Sequence, residues 1–167
     1  MIEREFKFIA RPKHKCSDLW VKLADTTYDI EQAYLLENEH IEVRIRKLVR
    51  LSDGQASYKE TVKITTSDPS KRREAEWDLT AEEFDELVPC AISKITKRRT
   101  EIPISDTTSW CIDWYRDLSL CIVEFESPEE TPVDEYKRMI EEWVELKEDV
   151  TADPQYKTKE LAKQVKH

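Results

Sequence analysis

Apolar and charged residues alternate along the first three-quarters of this chain. A period of two is typical of β-strands, because successive side chains of a strand point to opposite faces. The pattern predicts strands at residues 2–9, 41–49, 57–65, 72–79, 94–102, 110–115 and 120–126. Asp53-Gly54 lies between two of them and predicts a hairpin turn. The strands are therefore expected to run antiparallel.

Helical signals are fewer and shorter. Residues 17–24 predict one short helix, and Thr80 with Glu83 forms a capping-box pattern ahead of a second. A Thr-Pro pair at 131–132, followed by apolar residues at helical spacing, predicts a longer helix through residue 144. A last short helix is expected near residue 157. These helices are expected on the outside of the sheet.

The polar faces of the strands carry pairs of like charge. The pairs stand two residues apart: Glu3/Glu5, Arg44/Arg46, Glu74/Glu76, Lys97/Arg99 and Glu124/Glu126. One charged face is usually the solvated side of an antiparallel sheet. Repeated like pairs repel, and a fold tolerates them more readily where a ligand of opposite charge binds. Carboxylates suit Mg²⁺ or Mn²⁺, and Lys and Arg bind phosphate oxygens, so the combination predicts a site for a metal-bridged polyphosphate.

Strand parity also predicts which side chains face one another if the sheet curves into a barrel. The side chains expected to point into one cavity are Glu3, Arg44, Lys63, Glu76, Arg99 and Glu124. Apolar residues of opposite parity are expected to point away from it. Trp77, Trp114 and Trp143 are expected in the core between the sheet and the helices.

Composition narrows the classes of function. The chain has 167 residues, contains no repeat or linker-like tract, and is expected to form one domain over residues 1–167. Its net charge of −9 argues against a general nucleic-acid binder, because backbone phosphate affinity normally comes from a basic excess. No apolar run reaches the roughly 20 residues of a membrane span. The N-terminus is charged rather than signal-like, so a cytoplasmic location is expected. The four cysteines form no Cys-x-x-Cys pair, so reduced thiols are expected.

Eight motifs follow one another along nearly the whole chain. They are Glu3-Arg4-Glu5-Phe6-Lys7, Gln32-Ala33-Tyr34-Leu35, Val43-Arg44-Ile45-Arg46, Thr61-Val62-Lys63, Arg72-Arg73-Glu74-Ala75-Glu76, Lys97-Arg98-Arg99, Ile112-Asp113 with Glu124-Phe125-Glu126, and DPQYKTKELA at residues 153–162. In this order they resemble the motifs of the triphosphate tunnel metalloenzymes, also called the CYTH superfamily. The chain departs from that pattern at Ala33, Thr100 and Thr158, where the family usually has glycine, an aromatic residue and asparagine.

The resemblance implies an α+β fold in which an eight-stranded antiparallel β-barrel forms a tunnel and helices pack outside. It also implies a linear triphosphate and one or two divalent metal ions, Mg²⁺ or Mn²⁺. The phosphate-binding residues that it implies are Lys7, Arg44, Arg46, Lys63, Arg72, Lys97 and Arg99. The metal-binding residues that it implies are Glu3, Glu5, Glu124 and Glu126, with Glu74, Glu76 and Asp113 nearby.

Several roles remain open at this point. Tyr34 with Lys63 resembles a pair that activates water in some tripolyphosphatases, but a packed aromatic is the alternative for Tyr34. For Asp113, the alternative to binding metal directly is to lie behind the residues that do. For Glu74 and Glu76, the alternative to a place near the metal is to form ion pairs with the cations of the tunnel.

The short members of this family that carry these motifs resemble inorganic tripolyphosphatases. Hydrolysis of tripolyphosphate to pyrophosphate and phosphate is therefore the expected function. The alternatives are an adenylyl cyclase, a thiamine triphosphatase or another nucleoside or organic triphosphatase of the family, and a non-catalytic polyphosphate-binding module. The expected partner is a small-molecule triphosphate, with neither nucleic acid nor membrane, and the oligomeric state is left open.

Overall fold

The computed structural model describes residues 3–67, 72–128 and 131–165, except for the side chains of Glu3 and Arg72. Within this part, nine strands form one antiparallel sheet. The strands are β1 (Glu3–Pro12), β2 (Thr27–Glu37), β3 (Ile41–Arg50), β4 (Ala56–Thr65), β5 (Arg72–Asp78), β6 (Ser93–Pro103), β7 (Ser109–Tyr115), β8 (Leu120–Pro128) and β9 (Val144–Asp149). Their order across the sheet is β5-β4-β3-β2-β6-β7-β8-β1-β9.

The helices are short and lie between the strands or after them. The α-helices are α1 (Cys16–Lys22), α2 (Ala81–Leu87), α3 (Val133–Tyr136) and α4 (Thr158–Ala162), and the 3₁₀ turns are Ala24–Thr26, Val88–Cys90, Arg116–Leu118, Lys137–Met139 and Pro154–Tyr156. The described residues contain no helix long and apolar enough to cross a membrane.

The predicted fold class is confirmed: the protein is α+β, with an antiparallel, tunnel-like sheet. The sheet has nine strands where eight were expected. Strands β5 and β9 are its two edges, and no pairing between them joins the ends of the sheet among the described residues. The curvature therefore encloses a cavity without a closed ring of backbone hydrogen bonds.

Strand β2 is absent from the alternation pattern, although it lies near the middle of the sheet. Three consecutive residues, Gln32, Ala33 and Tyr34, are buried in it. Ala33 packs outward beneath Phe84 of α2, while Gln32 and Tyr34 line the inner cavity. Because both faces are covered and each of them mixes apolar with polar residues, the strand lacks the contrast between faces on which the prediction depends.

The predicted long helix through residue 144 is wrong. The structure has the one-turn helix α3 and a 3₁₀ turn there, and strand β9 begins at Val144. Pro12 and Arg11 of β1 pair with Val144 and Glu145. Strand β9 thereby covers the edge of β1 that faces away from β8. The stabilisation from this pairing outweighs the helical preference that the spacing of the apolar residues indicates.

Two predicted local features are confirmed. Thr80 and Glu83 form a reciprocal capping box at the start of α2. Gly54 has a φ of +69° in the turn between β3 and β4, a left-handed conformation that glycine adopts at little cost.

Apolar side chains pack on both sides of the sheet. Outside, Trp110 and Phe125 pack with α1 and the segment after α3, and Phe84 of α2 covers the outer face of β2 and β3. Inside, Leu161 of α4 packs in one buried cluster with Tyr34. The expectation that Trp77 is core is wrong: it is 44% exposed on the edge strand β5.

Candidate active site

The polar face of the sheet surrounds a cavity of about 210 Å³. Its wall carries six of the seven predicted phosphate-binding cations, namely Lys7, Arg44, Arg46, Lys63, Lys97 and Arg99. They come from strands β1, β3, β4 and β6, whose alternation places these side chains inward. The side chain of the seventh, Arg72, lies outside the described part of the chain. The inward orientation predicted for Arg44, Lys63, Arg99 and Glu124 is confirmed.

Three of the predicted metal-binding carboxylates meet on one wall. Glu5, Glu124 and Glu126 each offer an oxygen, and these oxygens lie within 4.8 Å of one another. Pairing of β1 with β8 places Glu5 opposite Glu126. Lys7 Nζ lies 3.5 Å from both Glu5 and Glu124, so it offsets part of their repulsion. This arrangement of hard oxygen donors fits Mg²⁺ or Mn²⁺. The side chain of Glu3 lies outside the described residues.

Asp113 lies behind the cavity wall and does not join that cluster in the structure. It is fully buried, and its carboxylate accepts hydrogen bonds from Lys97 at 3.0 Å and from Arg99 at 2.7 Å through two nitrogens. Arg99 also donates to Glu124 at 3.0 Å. Burial alone would raise the pKa of Asp113, but the two cations hold that pKa well below its usual range. Asp113 therefore remains ionised and orients both cations.

Burial and the neighbouring Arg99 lower the pKa of Lys97, and Asp113 opposes this shift. For Arg99, burial acts in the same direction, but Asp113 and Glu124 outweigh it and raise the pKa well above its usual value. A bound anion would stabilise the charged form of Lys97 in the same way as Asp113 does.

Glu74 and Glu76 of β5 face cations and lie outside the carboxylate cluster. Glu76 accepts from Arg46 at 2.9 Å and from Thr61 at 2.9 Å, while Glu74 lies 3.9 Å from Lys63. Burial raises the pKa of Glu76, but the Thr61 hydrogen bond and the Arg46 charge outweigh it, so the net shift is downward. These contacts favour the ion-pair alternative for both residues.

Two arginines on the cavity wall have unsatisfied donors. The Nε atoms of Arg44 and Arg46 are buried and have no hydrogen-bond partner among the described residues. A buried donor without a partner costs free energy, and an oxyanion in the cavity is the kind of ligand that would remove this cost. The wall is therefore suited to phosphate oxygens.

Tyr34 is almost fully buried and lines the cavity together with Lys63. Its hydroxyl accepts a hydrogen bond from Gln32 Nε2 at 2.6 Å. Burial raises the pKa of Tyr34 to about 12. The phenol is therefore protonated at neutral pH and suited to donating a hydrogen bond, which argues against its acting as a base.

Several residues of this region had no role assigned from the sequence. Gln32 and Lys157 lie within the matched motifs and line the cavity. Thr61 and Lys59, which share the inward parity of Lys63 on β4, bind Glu76 behind it. No strand pattern could have found Lys157, because it follows a 3₁₀ turn.

No protein-family model matches the sequence, and no curated protein sequence matches it significantly. Solved structures do match. The structure described as hypothetical protein NE1496 aligns with a TM-score of 0.59 at 23% identity, covering 98% of this chain and 99% of its own. The structure described as the inorganic triphosphatase NE1496 aligns with a TM-score of 0.58 at 24% identity, covering 97% and 95%.

The structure of PH1819 protein from Pyrococcus horikoshii OT3 aligns with a TM-score of 0.53 at 17% identity, covering 87% of this chain and 94% of that one. At such identities the similarity is one of fold. The chain therefore has the same fold as these proteins, in agreement with the antiparallel, tunnel-like sheet that its motifs predict.

Proposed function

We propose that this protein is a divalent-metal-dependent triphosphatase that hydrolyses inorganic tripolyphosphate to pyrophosphate and phosphate. One observation carries the proposal: a cluster of three carboxylates lies in the same cavity as six inward-pointing cations. A simple anion receptor would need the cations but not the carboxylate cluster. The fold shared with a protein described as an inorganic triphosphatase supports the same reading.

The residues that would hold the metal ion are Glu5, Glu124 and Glu126. Bound there, Mg²⁺ or Mn²⁺ supplies Lewis-acid neutralisation of charge on the phosphoryl oxygens. Lys7, which lies 3.5 Å from both Glu5 and Glu124, is placed to bind a phosphate oxygen next to this cluster.

The cations of β3 and β6 act as an electrostatic cradle. Arg44 and Arg46 present buried donors on one wall, and Lys97 and Arg99 are held by Asp113 on another. Because these donors are oriented before the substrate arrives, they stabilise developing negative charge without reorganisation. Water attacks the terminal phosphorus, the bond to the bridging oxygen breaks, and pyrophosphate leaves while the proton of the water passes to solvent.

The pair of Tyr34 and Lys63 fits a supporting role in this step. Lys63 binds a phosphate oxygen, and the protonated phenol donates a hydrogen bond. A base function for Tyr34 would require loss of a proton whose pKa is about 12.

The size of the cavity favours an inorganic substrate over a nucleotide. Its volume of about 210 Å³ lies below the roughly 300–1,000 Å³ of sites for drug-sized ligands. Among the described lining residues the only rings are Tyr34 and His40, and Tyr34 is 1% exposed. An adenine base would find little surface on which to stack, so an adenylyl cyclase is disfavoured.

Neutralising single carboxylates of the cluster tests the metal role. Glu124→Gln and Glu126→Gln keep the side-chain size but remove a charge, so Mg²⁺-dependent phosphate release should fall by about 100-fold or more. Glu86→Gln, on the exposed face of α2, is the matched control and should retain activity. Circular dichroism of each variant checks that the fold is intact.

Unchanged turnover in both cluster variants would exclude these glutamates as essential ligands. A wild-type protein that binds tripolyphosphate with Mg²⁺ but releases no phosphate would instead be a polyphosphate-binding module.

A further inference from the structure

The C-terminal strap, residues 153–162, lies across one end of the cavity. The backbone oxygen of Tyr156 accepts a hydrogen bond from Lys7 Nζ of β1 at 3.2 Å. Three residues later, Lys159 Nζ lies 3.6 Å from Glu37 at the end of β2. The strap therefore runs from one strand of the cavity wall to another, and residues 157–159 line the cavity.

The backbone of the strap is fixed at Lys157. The carbonyl oxygen of Lys157 accepts hydrogen bonds from the N–H groups of Glu160 at 2.9 Å and Leu161 at 3.0 Å. Leu161 is buried against Tyr34 inside the sheet. On the other side, Asp153 caps the turn that precedes Lys157. The fold thus fixes the backbone position of Lys157, while its side chain is exposed.

The lysines in and after the strap differ in how their charges are balanced. Lys159 and Lys163 both pair with Glu37, which lies opposite Glu42 in the β2–β3 ladder. Lys157 forms no ion pair in the part of the chain that the structure describes. It is therefore a lysine that lines an anion-binding cavity with its charge uncommitted.

We propose that Lys157 binds an end phosphate of the triphosphate, so that the strap as well as the strands selects the length of the anion. This inference rests on the proposed function of the cavity. The flexible lysine side chain donates to phosphate oxygens as a point charge, and such charge-assisted hydrogen bonds are stronger than neutral ones. Pyrophosphate keeps contacts with some of the strand cations, but it is one phosphate too short to reach Lys157 as well.

Steady-state kinetics with Mg²⁺ test this assignment. Lys157→Ala should raise KM for tripolyphosphate by about tenfold, as expected for the loss of one charge-assisted hydrogen bond. The inhibition constant of pyrophosphate, measured as a competitor, should change less than twofold. Lys157→Arg should restore most of the affinity. Equilibrium titration of tripolyphosphate into the metal-free proteins provides the same comparison without turnover.

Lys22→Ala is the matched control, because Lys22 is exposed at the end of α1, does not line the cavity and carries the same charge. An unchanged KM in Lys157→Ala would overturn the assignment while leaving the proposed function intact. An equal rise in KM and in the pyrophosphate inhibition constant would also overturn it, since the lysine would then act only through long-range charge. A wild-type protein that neither binds nor hydrolyses tripolyphosphate would overturn both proposals.

Discussion

Asp113 is a buried residue that orients charged side chains of the cavity wall. Its carboxylate holds Lys97 and Arg99, and Arg99 in turn reaches Glu124 of the carboxylate cluster. Two cations close together would repel each other without it. Asp113 therefore connects two cations of the cavity wall and, through Arg99, the carboxylate cluster.

Asp113→Asn should lower the free energy of unfolding at pH 7 by about 3 kcal/mol, because removing one partner leaves buried cations uncompensated. The folded-state pKa of Asp113 is lowered, so its contribution is fully present above the unfolded pKa of about 3.9 and is lost as the pH falls below it. Urea unfolding at pH 7 and at pH 3 measures the difference, which should shrink at the lower pH.

Asp85→Asn on the exposed face of α2 is the control for this change and should alter the unfolding free energy by less than about 0.5 kcal/mol. Equal stability of Asp113→Asn and the wild type at pH 7 would contradict the positioning role.

The alternation of side chains along the strands predicted which of these charged residues face the cavity. Arg44, Arg46 and Arg99 face the cavity because strand alternation is a local property that the sequence displays directly. Strand alternation does not predict the ion-pair partner of each charged residue. Glu76 and Asp113 bind cations on neighbouring strands, and those pairings depend on a register that the sequence does not display.

At the scale of elements, the differences between prediction and structure have one cause. Strand β2 was missed because tertiary contacts cover both of its faces, and β9 was taken for helix because its pairing with β1 is distant in sequence. The capping box of α2 and the turn at Gly54 were predicted correctly, because both depend on residues within one turn of the chain. Features that depend on neighbouring residues were therefore predicted correctly, and strands that depend on distant parts of the chain were not.

The ion pairs between the strap and the β2–β3 hairpin are predicted to stabilise the fold. Glu37 and Glu42 are directly opposite each other, a repulsive arrangement that Lys159 relieves. Lysine pairing lowers the pKa of Glu37, chiefly through Lys163. Lys159→Ala should reduce the unfolding free energy by about 1 kcal/mol, and Glu37→Gln added to it should recover part of that loss.

A double-mutant cycle by urea denaturation at pH 7 measures this coupling. Additive effects of the two substitutions would show that Lys159 does not compensate the opposed carboxylates.

At the scale of the whole molecule, the unusual feature is a polar interior beneath an apolar exterior layer. Charged residues amount to 38% of the chain, and many of them line the cavity or stand behind its wall. Two clusters of large apolar residues pack outside the sheet with the helices, and a third, which includes Tyr34 and Leu161, lies inside it. Many of the charged residues pair with one another around an enclosed space, an arrangement that is suited to a charged ligand.

The most direct test of this account compares kcat/KM for tripolyphosphate, pyrophosphate and ATP with Mg²⁺. Six cations around one small cavity can engage successive phosphates at once, and a shorter anion forfeits contacts that position the reacting phosphorus. Tripolyphosphate should be cleaved about 100-fold faster than pyrophosphate, as expected for two lost charge-assisted hydrogen bonds, and faster than ATP. Equal rates on pyrophosphate, or faster ATP turnover that yields cyclic AMP, would contradict the account.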